Sequence, residues 1–295
     1  MRITQNMMTR TLLSDLQNVT TRLSKTQAKL SSGKELTAPS DDPFATSRAL
    51  QLRADLAQNQ QYQRNVDEAN SWQSTADTSL STIGDIVLRA RDLVVQGASD
   101  TVGSSARTSI AAEITQLIDS VKSEGNANYA GRFIFSGSAS LTQPYQMGAS
   151  DAYAGNSEVV KREIGPGVQI DLNQPGVNVL GDSSSGLLQT LRTIVSDLQS
   201  NNGAALQNND LKALDTAHDT VTLARSVVGA SQNRLETANS RLQELEQSTT
   251  QMLSNDEDAD MAKTLVDFST QQAVYQSALK SGAQIIQPSL MDFLK

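Results

Sequence analysis

The two ends of the chain carry the same signature, and that pairing limits the folds open to everything between them. Near the start, Leu12, Leu16, Val19, Leu23 and Leu30 recur at steps of four and three, with only Thr26 interrupting the series. Near the end, Met261, Leu265, Phe268, Tyr275, Leu279 and Ile286 keep the same rhythm, with Gln272 and Gly282 as polar or empty positions. Such spacing places the apolar residues along one side of a helix. Each stripe is one-sided, so neither helix can bury its face alone. The expectation is a chain that associates through both ends at once.

Composition supports thin helical packing. The chain has 295 residues, of which 38% are hydrophobic and only 4% aromatic. That is little bulk for one compact core, whereas Ala and Leu suffice for narrow helical seams. Six prolines leave long stretches free to be helical. A net charge of −8 without any Lys/Arg cluster argues against binding a phosphate backbone. No window is apolar enough for a membrane span, and Met1–Arg10 lacks the apolar segment of an ordinary secretory signal. The chain has no cysteine, which excludes disulfides, zinc–thiolate sites and cysteine nucleophiles.

The pattern predicts a first helix over residues 3–30, ended at Gly33, then a short loop. Asp42 is a favourable N-cap and Pro43 suits the first position of the next helix, with Asp41 adding charge at the positive end of its dipole. That helix should run to about Gln96, roughly 80 Å, with its weakest part over Gln58–Asn70. A third helix is expected over Ser105–Lys122. The run Asn128-Tyr129-Ala130-Gly131-Arg132-Phe133-Ile134-Phe135-Ser136-Gly137 reads as a strand. Val159–Ile164 and Val168–Leu172 flank Gly165-Pro166-Gly167, which signals a hairpin. Helix resumes at Leu187–Ser200. From Leu214 to Met252 a heptad series runs without a slip through Val221, Val228, Leu235, Leu242 and Leu245, implying supercoiling. Ser254-Asn255-Asp256-Glu257 is a capping-box pattern expected to open the last helix, which Pro288 would end.

The fold class expected is therefore mainly α, with long antiparallel coiled-coil-like helical rods from both chain ends and a small β-rich insertion carried at the far end of the rod. Three domains follow: 1–35 with 255–295 as a terminal coiled coil, 36–137 with 187–254 as a helical rod, and 138–186 as a β-rich exposed part.

No constellation carries chemistry. Asp41-Asp42 reads as a helix cap. Asp256, Glu257, Asp258 and Asp260 lack the alternate spacing and central Gly of a calcium loop and read as a helix N-terminus. His218 stands alone, just off the heptad stripe. Asn18-Val19-Thr20 lies inside a helix seam. Trp72 and Tyr275 fall at stripe positions and read as packing residues. Phosphate-binding glycine loops are absent. No catalytic, cofactor-binding or metal residue is assigned.

Leu30-Ser31-Ser32-Gly33-Lys34 followed by Asp41-Asp42-Pro43, beside an N-terminal heptad helix, resembles the flagellin superfamily. Pro43-Phe44-Ala45-Thr46, the run Gly131–Gly137 with Asn128, and the endings Gln272–Leu279 and Ser289–Leu294 are similar to its hook–filament junction branch, the hook-associated protein 3 family. The resemblance spans both ends and the rods. It implies a structural, non-enzymatic adaptor, self-associated in a ring at the end of the bacterial flagellar hook. Its partners would be hook-associated protein 1 on one face, flagellin on the other, and an export chaperone on the C-terminal segment. It also implies export through the flagellar type III apparatus to an extracellular flagellum.

On this reading the assembly residues are Leu12, Leu16, Val19, Leu23, Leu30, Met261, Leu265, Phe268, Tyr275, Leu279 and Ile286, with Gly33, Asp41, Asp42 and Pro43 as hinge and cap. The defective seam (Thr26, Gln272, Gly282) buries too little to offset ordering of about 1–2 kcal/mol per residue. Both ends are therefore expected to order only on assembly. Two other readings compete: a small flagellin forming the filament itself, and a cytoplasmic coiled-coil scaffold.

Overall fold

The computed structural model describes residues 5–148 and 150–286, and the side chain of Ile286 lies outside what it describes, as does Pro288. The chain divides into two compact units, residues 1–58 with 245–295 and residues 59–244. Eight α-helices and four short strands form the described chain: α1 (Gln5–Ser32), α2 (Pro43–Ala98), α3 (Ser104–Gly125), β1 (Asn128–Tyr129), β2 (Arg132–Phe133), β3 (Lys161–Gly165), β4 (Val168–Asp171), α4 (Gly176–Val179), α5 (Gly186–Gln199), α6 (Gly203–Ala205), α7 (Leu211–Glu257) and α8 (Met261–Ile286). A π-helical segment, Leu206–Asp210, leads into α7.

In the unit formed by residues 59–244, α2, α3, α5 and α7 enclose a core of branched aliphatics. Leu80, Ile83, Val87 and Val94 of α2 meet Ile110, Ile114, Ile118 and Val121 of α3, Leu188, Leu191, Ile194 and Leu198 of α5, and Leu214, Val221 and Val228 of α7. α2 and α7 run antiparallel. Arg91 Nε pairs with Asp215 Oδ1 at 2.8 Å, Arg225 Nε with Asp77 Oδ1 at 3.1 Å, and Asn59 Nδ2 donates to the Leu242 carbonyl at 2.8 Å.

The β segments are two separate antiparallel hairpins. β1–β2 turns through Ala130 and Gly131, both with positive φ. The single strand expected across residues 128–137 is therefore two, Asn128–Tyr129 and Arg132–Phe133, because Ala130 and Gly131 reverse the chain and Ile134 and Phe135 turn into the core. β3–β4 forms around Gly165–Gly167 as the turn chemistry predicted, with a bulge at Glu163/Gly165.

The expectation that the insertion sits at the far end of the rod is corrected. Hairpin β3–β4 lies along the side of α2: Asn65 Nδ2 donates to the Glu163 carbonyl at 2.8 Å, and Gln73 Nε2 to the Asp171 and Leu172 carbonyls at 3.2 Å. This explains the apolar-poor stretch Gln58–Asn70, which is unbroken helix. Its amide and phenol side chains serve backbone and side-chain groups of a strand that hydrophobicity does not register. The end of this unit is instead made by the turns at residues 99–103 and 200–210.

A second correction concerns α7. Its inward series holds through Leu214, Val221, Val228, Leu235 and Leu242, then slips by one. Leu245 and Met252 are half-exposed, and Glu246 and Leu253 turn inward in their place, while Thr249 is buried as the series expects. A 3.6-residue helix drifts off a strict heptad, and two consecutive steps of four absorb the drift.

Candidate assembly surface

In the unit formed by residues 1–58 and 245–295, α1 and α8 pack antiparallel. Leu12 stands against Gly282, where a Cβ would come within 2.9 Å of Leu12 Cδ2, and Thr26 Oγ1 donates to Gln271 Oε1 at 3.0 Å. On α1 the inward face is the predicted one. Leu12, Leu16, Val19, Leu23 and Leu30 are all half-buried, and Thr26 is buried. Half-burial is what a single partner helix can supply.

On α8 the inward face is rotated from the predicted stripe. Thr264, Phe268, Gln271, Tyr275, Ala278 and Gly282 turn toward α1, again at steps of four and three. Phe268 and Tyr275 belong to both series. Met261, Leu265 and Leu279 do not: they are 46%, 54% and 45% exposed. Separations of four and fourteen residues put these three on one flank of the helix. Val266, Val274 and, on α1, Met7, Met8 and Leu13 are also exposed. Sequence reasoning missed Thr264, Gln271 and Ala278, because a seam of small and polar residues carries no hydrophobic signal. The signal that could have found it is the spacing of Ala278 and Gly282, which permits close helix approach.

Beside this flank a groove of about 580 Å³ runs between the helices. Leu13, Leu16, Gln17, Thr20, Thr21 and Ser24 line it from α1, and Tyr275 and Leu279 from α8. On α8, Met261, Leu265 and Leu279 thus stay at the surface while Thr264, Gln271, Ala278 and Gly282 take seam positions beside Phe268 and Tyr275.

The segment after α1 is braced. Gly33 takes φ +70° and its N–H donates to the Lys29 carbonyl at 2.8 Å, closing the helix. Its own carbonyl accepts from Ala259 N–H at 3.0 Å, and Glu35 N–H donates to the Glu257 carbonyl at 2.7 Å. Asp42 Oδ1 accepts from the N–H groups of Phe44 and Ala45 at 2.9 and 3.0 Å, with Pro43 at the first helical position. Asp41 instead holds the loop. The Thr37 hydroxyl, then Lys25 and the Ala38 N–H, bring its carboxyl down to about 2.

The acidic run behaves differently from the expected helix start. α7 continues to Glu257, and α8 opens only at Met261, where Asp260 Oδ1 accepts from Lys263 N–H at 3.1 Å. Asp256 pairs with Arg48 at 3.1 Å, Glu257 with Arg53, and Asp258 with Lys34 at 2.6 Å. The hydrogen bond to Asp258 raises the Lys34 ammonium, and the same contact with Lys34 lowers the Asp258 carboxyl. The carboxylates of this run are thus used to fasten the turn before α8 to the segment after α1. Among the described residues no group of three or more His, Cys, Asp or Glu could hold a metal. His218 is half-buried on α7, and Trp72 is buried edge-on to Tyr129 at 6.2 Å.

Comparison with known proteins completes this description. The family model described as the bacterial flagellin N-terminal helical region matches residues 3–140, and that of the C-terminal helical region matches residues 211–294. Flagellar hook-associated protein 3 of Escherichia coli (strain K12) is 24% identical over 304 residues, covering 95% of this chain and 96% of that protein. Its counterpart in Salmonella typhimurium (strain LT2) is 25% identical with the same coverage. Among solved structures, flagellar hook-associated protein-3 of Legionella pneumophila superposes with a TM-score of 0.63 at 16% identity, covering 69% of this chain and 97% of that one. That likeness is one of fold.

Proposed function

The chain belongs to the bacterial flagellin family, and from that premise we propose that it is a structural adaptor joining the flagellar hook to the filament. The observation that carries this reading is the outward flank of the terminal helix pair. Met261, Leu265 and Leu279 stay exposed beside a groove, while Thr264, Gln271 and Ala278 occupy the intramolecular seam. An isolated two-helix pair gains nothing by showing its leucines to water, whereas a neighbouring subunit that covers them gains about 1–2 kcal/mol for each half-exposed leucine. Similarity to two hook-associated proteins 3 over 95% of the chain supports a junction role.

In this role α1 and α8 pack with neighbouring copies in a ring, one side of which meets hook-associated protein 1 and the other the first flagellin subunits. Half-burial of Leu12, Leu16, Val19, Leu23 and Leu30 fits helices that are completed on assembly. Gly33, Asp41, Asp42 and Pro43 mark the joint between the assembling ends and the remainder. The chain passes the flagellar type III apparatus to the outside, with a chaperone on its C-terminal segment beforehand.

The test is the pair of variants Leu265→Asp and Leu279→Asp, introduced into a strain lacking the native gene. Both side chains are about half-exposed, so the purified variants are expected to keep the melting profile of the wild type. The strain should keep hooks bearing hook-associated protein 1 but shed flagellin into the medium. Normal filaments and swimming with both variants would overturn the proposal. Purified protein that grows long filaments by itself would assign it to the filament instead.

A further inference from the structure

One end of the unit formed by residues 59–244 concentrates three departures from ordinary chemistry between Asn201 and Asp210. Asn201 adopts φ +61°, unusual for a residue with a Cβ. Leu206–Asp210 is π-helical, a form that is rare and associated with functional positions. Asp210 is only 5% exposed, and its Oδ2 has no hydrogen-bond donor. A carboxylate oxygen buried without a donor is costly as an anion.

Its neighbour makes matters worse for the charged form. The π segment packs against α5, and from that helix Asp197 faces Asp210. The Asp197 carboxylate accepts from Asn202 Nδ2 at 3.2 Å, and its carbonyl accepts from the Asn202 N–H at 2.9 Å and the Ser200 hydroxyl at 3.2 Å. Cations are near but committed elsewhere. Arg107 of α3 donates to the Gly97 carbonyl at 2.8 Å and the Ser99 carbonyl at 3.1 Å, and also bonds Asn201 Oδ1. Lys212 at the start of α7 is exposed, and Asp215 one turn further is paired with Arg91. Gln207 Nε2 donates to the Ala98 carbonyl at 2.7 Å, tying the same segment to the end of α2.

We propose that Asp210 is protonated in the folded chain and donates to Asp197, an acid-closed clasp that holds the π segment against α5 and loosens when Asp210 ionises. Burial first, then the charge of Asp197, push the Asp210 carboxyl up from 3.8 to about 6. A folded-state value above the unfolded one means that the folded chain binds the proton more tightly. Stability from the clasp is therefore full below about pH 4, is lost as pH rises toward 6, and is constant above that. The clasp lies outside the terminal helices and does not depend on how the protein assembles.

The experiment is thermal unfolding of the full chain between pH 4.5 and pH 7.5, with Asp210→Asn alongside, read together with amide hydrogen exchange over residues 199–211. For the wild type the melting temperature should fall as pH rises to about 6.5. Exchange of the segment, corrected for its intrinsic pH dependence, should quicken on the order of tenfold. Asp210→Asn should abolish both changes. Parallel profiles for wild type and variant would overturn the proposal. So would a melting temperature at pH 7.5 raised by calcium chloride in the wild type alone, which would make the pair a cation site. If the variant does not fold, carboxyl-carbon titration of the wild type decides: no carboxyl group titrating between pH 5 and pH 7 refutes a protonated Asp210.

Discussion

Replacing Asp151 by Asn should markedly destabilise the unit of residues 59–244. Asp151 lies in the irregular stretch after β2 and is 5% exposed, and Lys122 of α3 beneath it is fully buried. Lys122 Nζ sits 2.5 Å from Asp151 Oδ1 and donates to the Gly148 and Ser150 carbonyls at 2.6 and 2.9 Å. Arg192 of α5 closes the other side, with Nε to Oδ2 at 2.6 Å and a terminal nitrogen to Oδ1 at 3.1 Å. One carboxylate thus serves two cations and pins the stretch to two helices. Removing its charge leaves an uncompensated buried ammonium, which costs about 3–5 kcal/mol. The carbonyl partners of Lys122 survive and Arg192 can rehydrate, so the lower end, about 3 kcal/mol, applies. With a urea slope of about 2–3 kcal/mol per molar, the midpoint should fall by about 1 M. Trp72, the single tryptophan and buried in the same unit, reports the transition by fluorescence. Removing both charges together, as Lys122→Met with Asp151→Leu, should cost less than Asp151→Asn alone. The pH dependence has a definite sign. Burial pushes the Asp151 carboxyl up, but the bonds from Arg192 and Lys122 outweigh it and hold it below its ordinary value. Its contribution is therefore present above about pH 4 and lost as pH falls through the lowered folded value. The gap between wild type and variant should close in acid. A midpoint shift below about 0.3 M in urea, equivalent to under 1 kcal/mol, or a double variant less stable than the single one, would refute the reasoning.

Two further outcomes follow from packing. At Gly97 of α2 a Cβ would stand 2.6 Å from Leu198 Cδ2 of α5, so Gly97→Ala should destabilise the same unit by about 1–2 kcal/mol, read from its melt, with Leu198→Ala in the same chain relieving the clash. Limited trypsin digestion of the monomer should cut α1 and α8, which carry Arg10, Arg22, Lys263 and Lys280, before it cuts residues 59–244. Equal resistance of both would show that the terminal helices are complete without neighbours.

The helical architecture was legible because heptad spacing, proline scarcity and the turn residues are local signals. Gly33, the Asp42 cap with Pro43, and the Gly165–Gly167 hairpin turn are set by backbone conformations that only a few residue types favour. The slip after Leu242, the start of α8 at Met261 rather than after Ser254, and the hairpin's seat along α2 were not legible. Each depends on which partner a segment meets.

Periodicity and turn chemistry act within a few residues, so the sequence alone specifies both ends as amphipathic helices and the middle as a departure from helix. It did not determine which side of α8 faces inward. Two heptad series pass through Phe268 and Tyr275, one apolar through Leu265 and Leu279, the other small and polar through Thr264, Gln271, Ala278 and Gly282. Hydrophobicity alone selects the first. Gly282 lies on both, and the Thr26–Gln271 hydrogen bond selects the second, a contact that exists only once α1 lies against α8. Tertiary packing therefore decided that the leucines of α8 remain at the surface, where a neighbouring subunit can reach them.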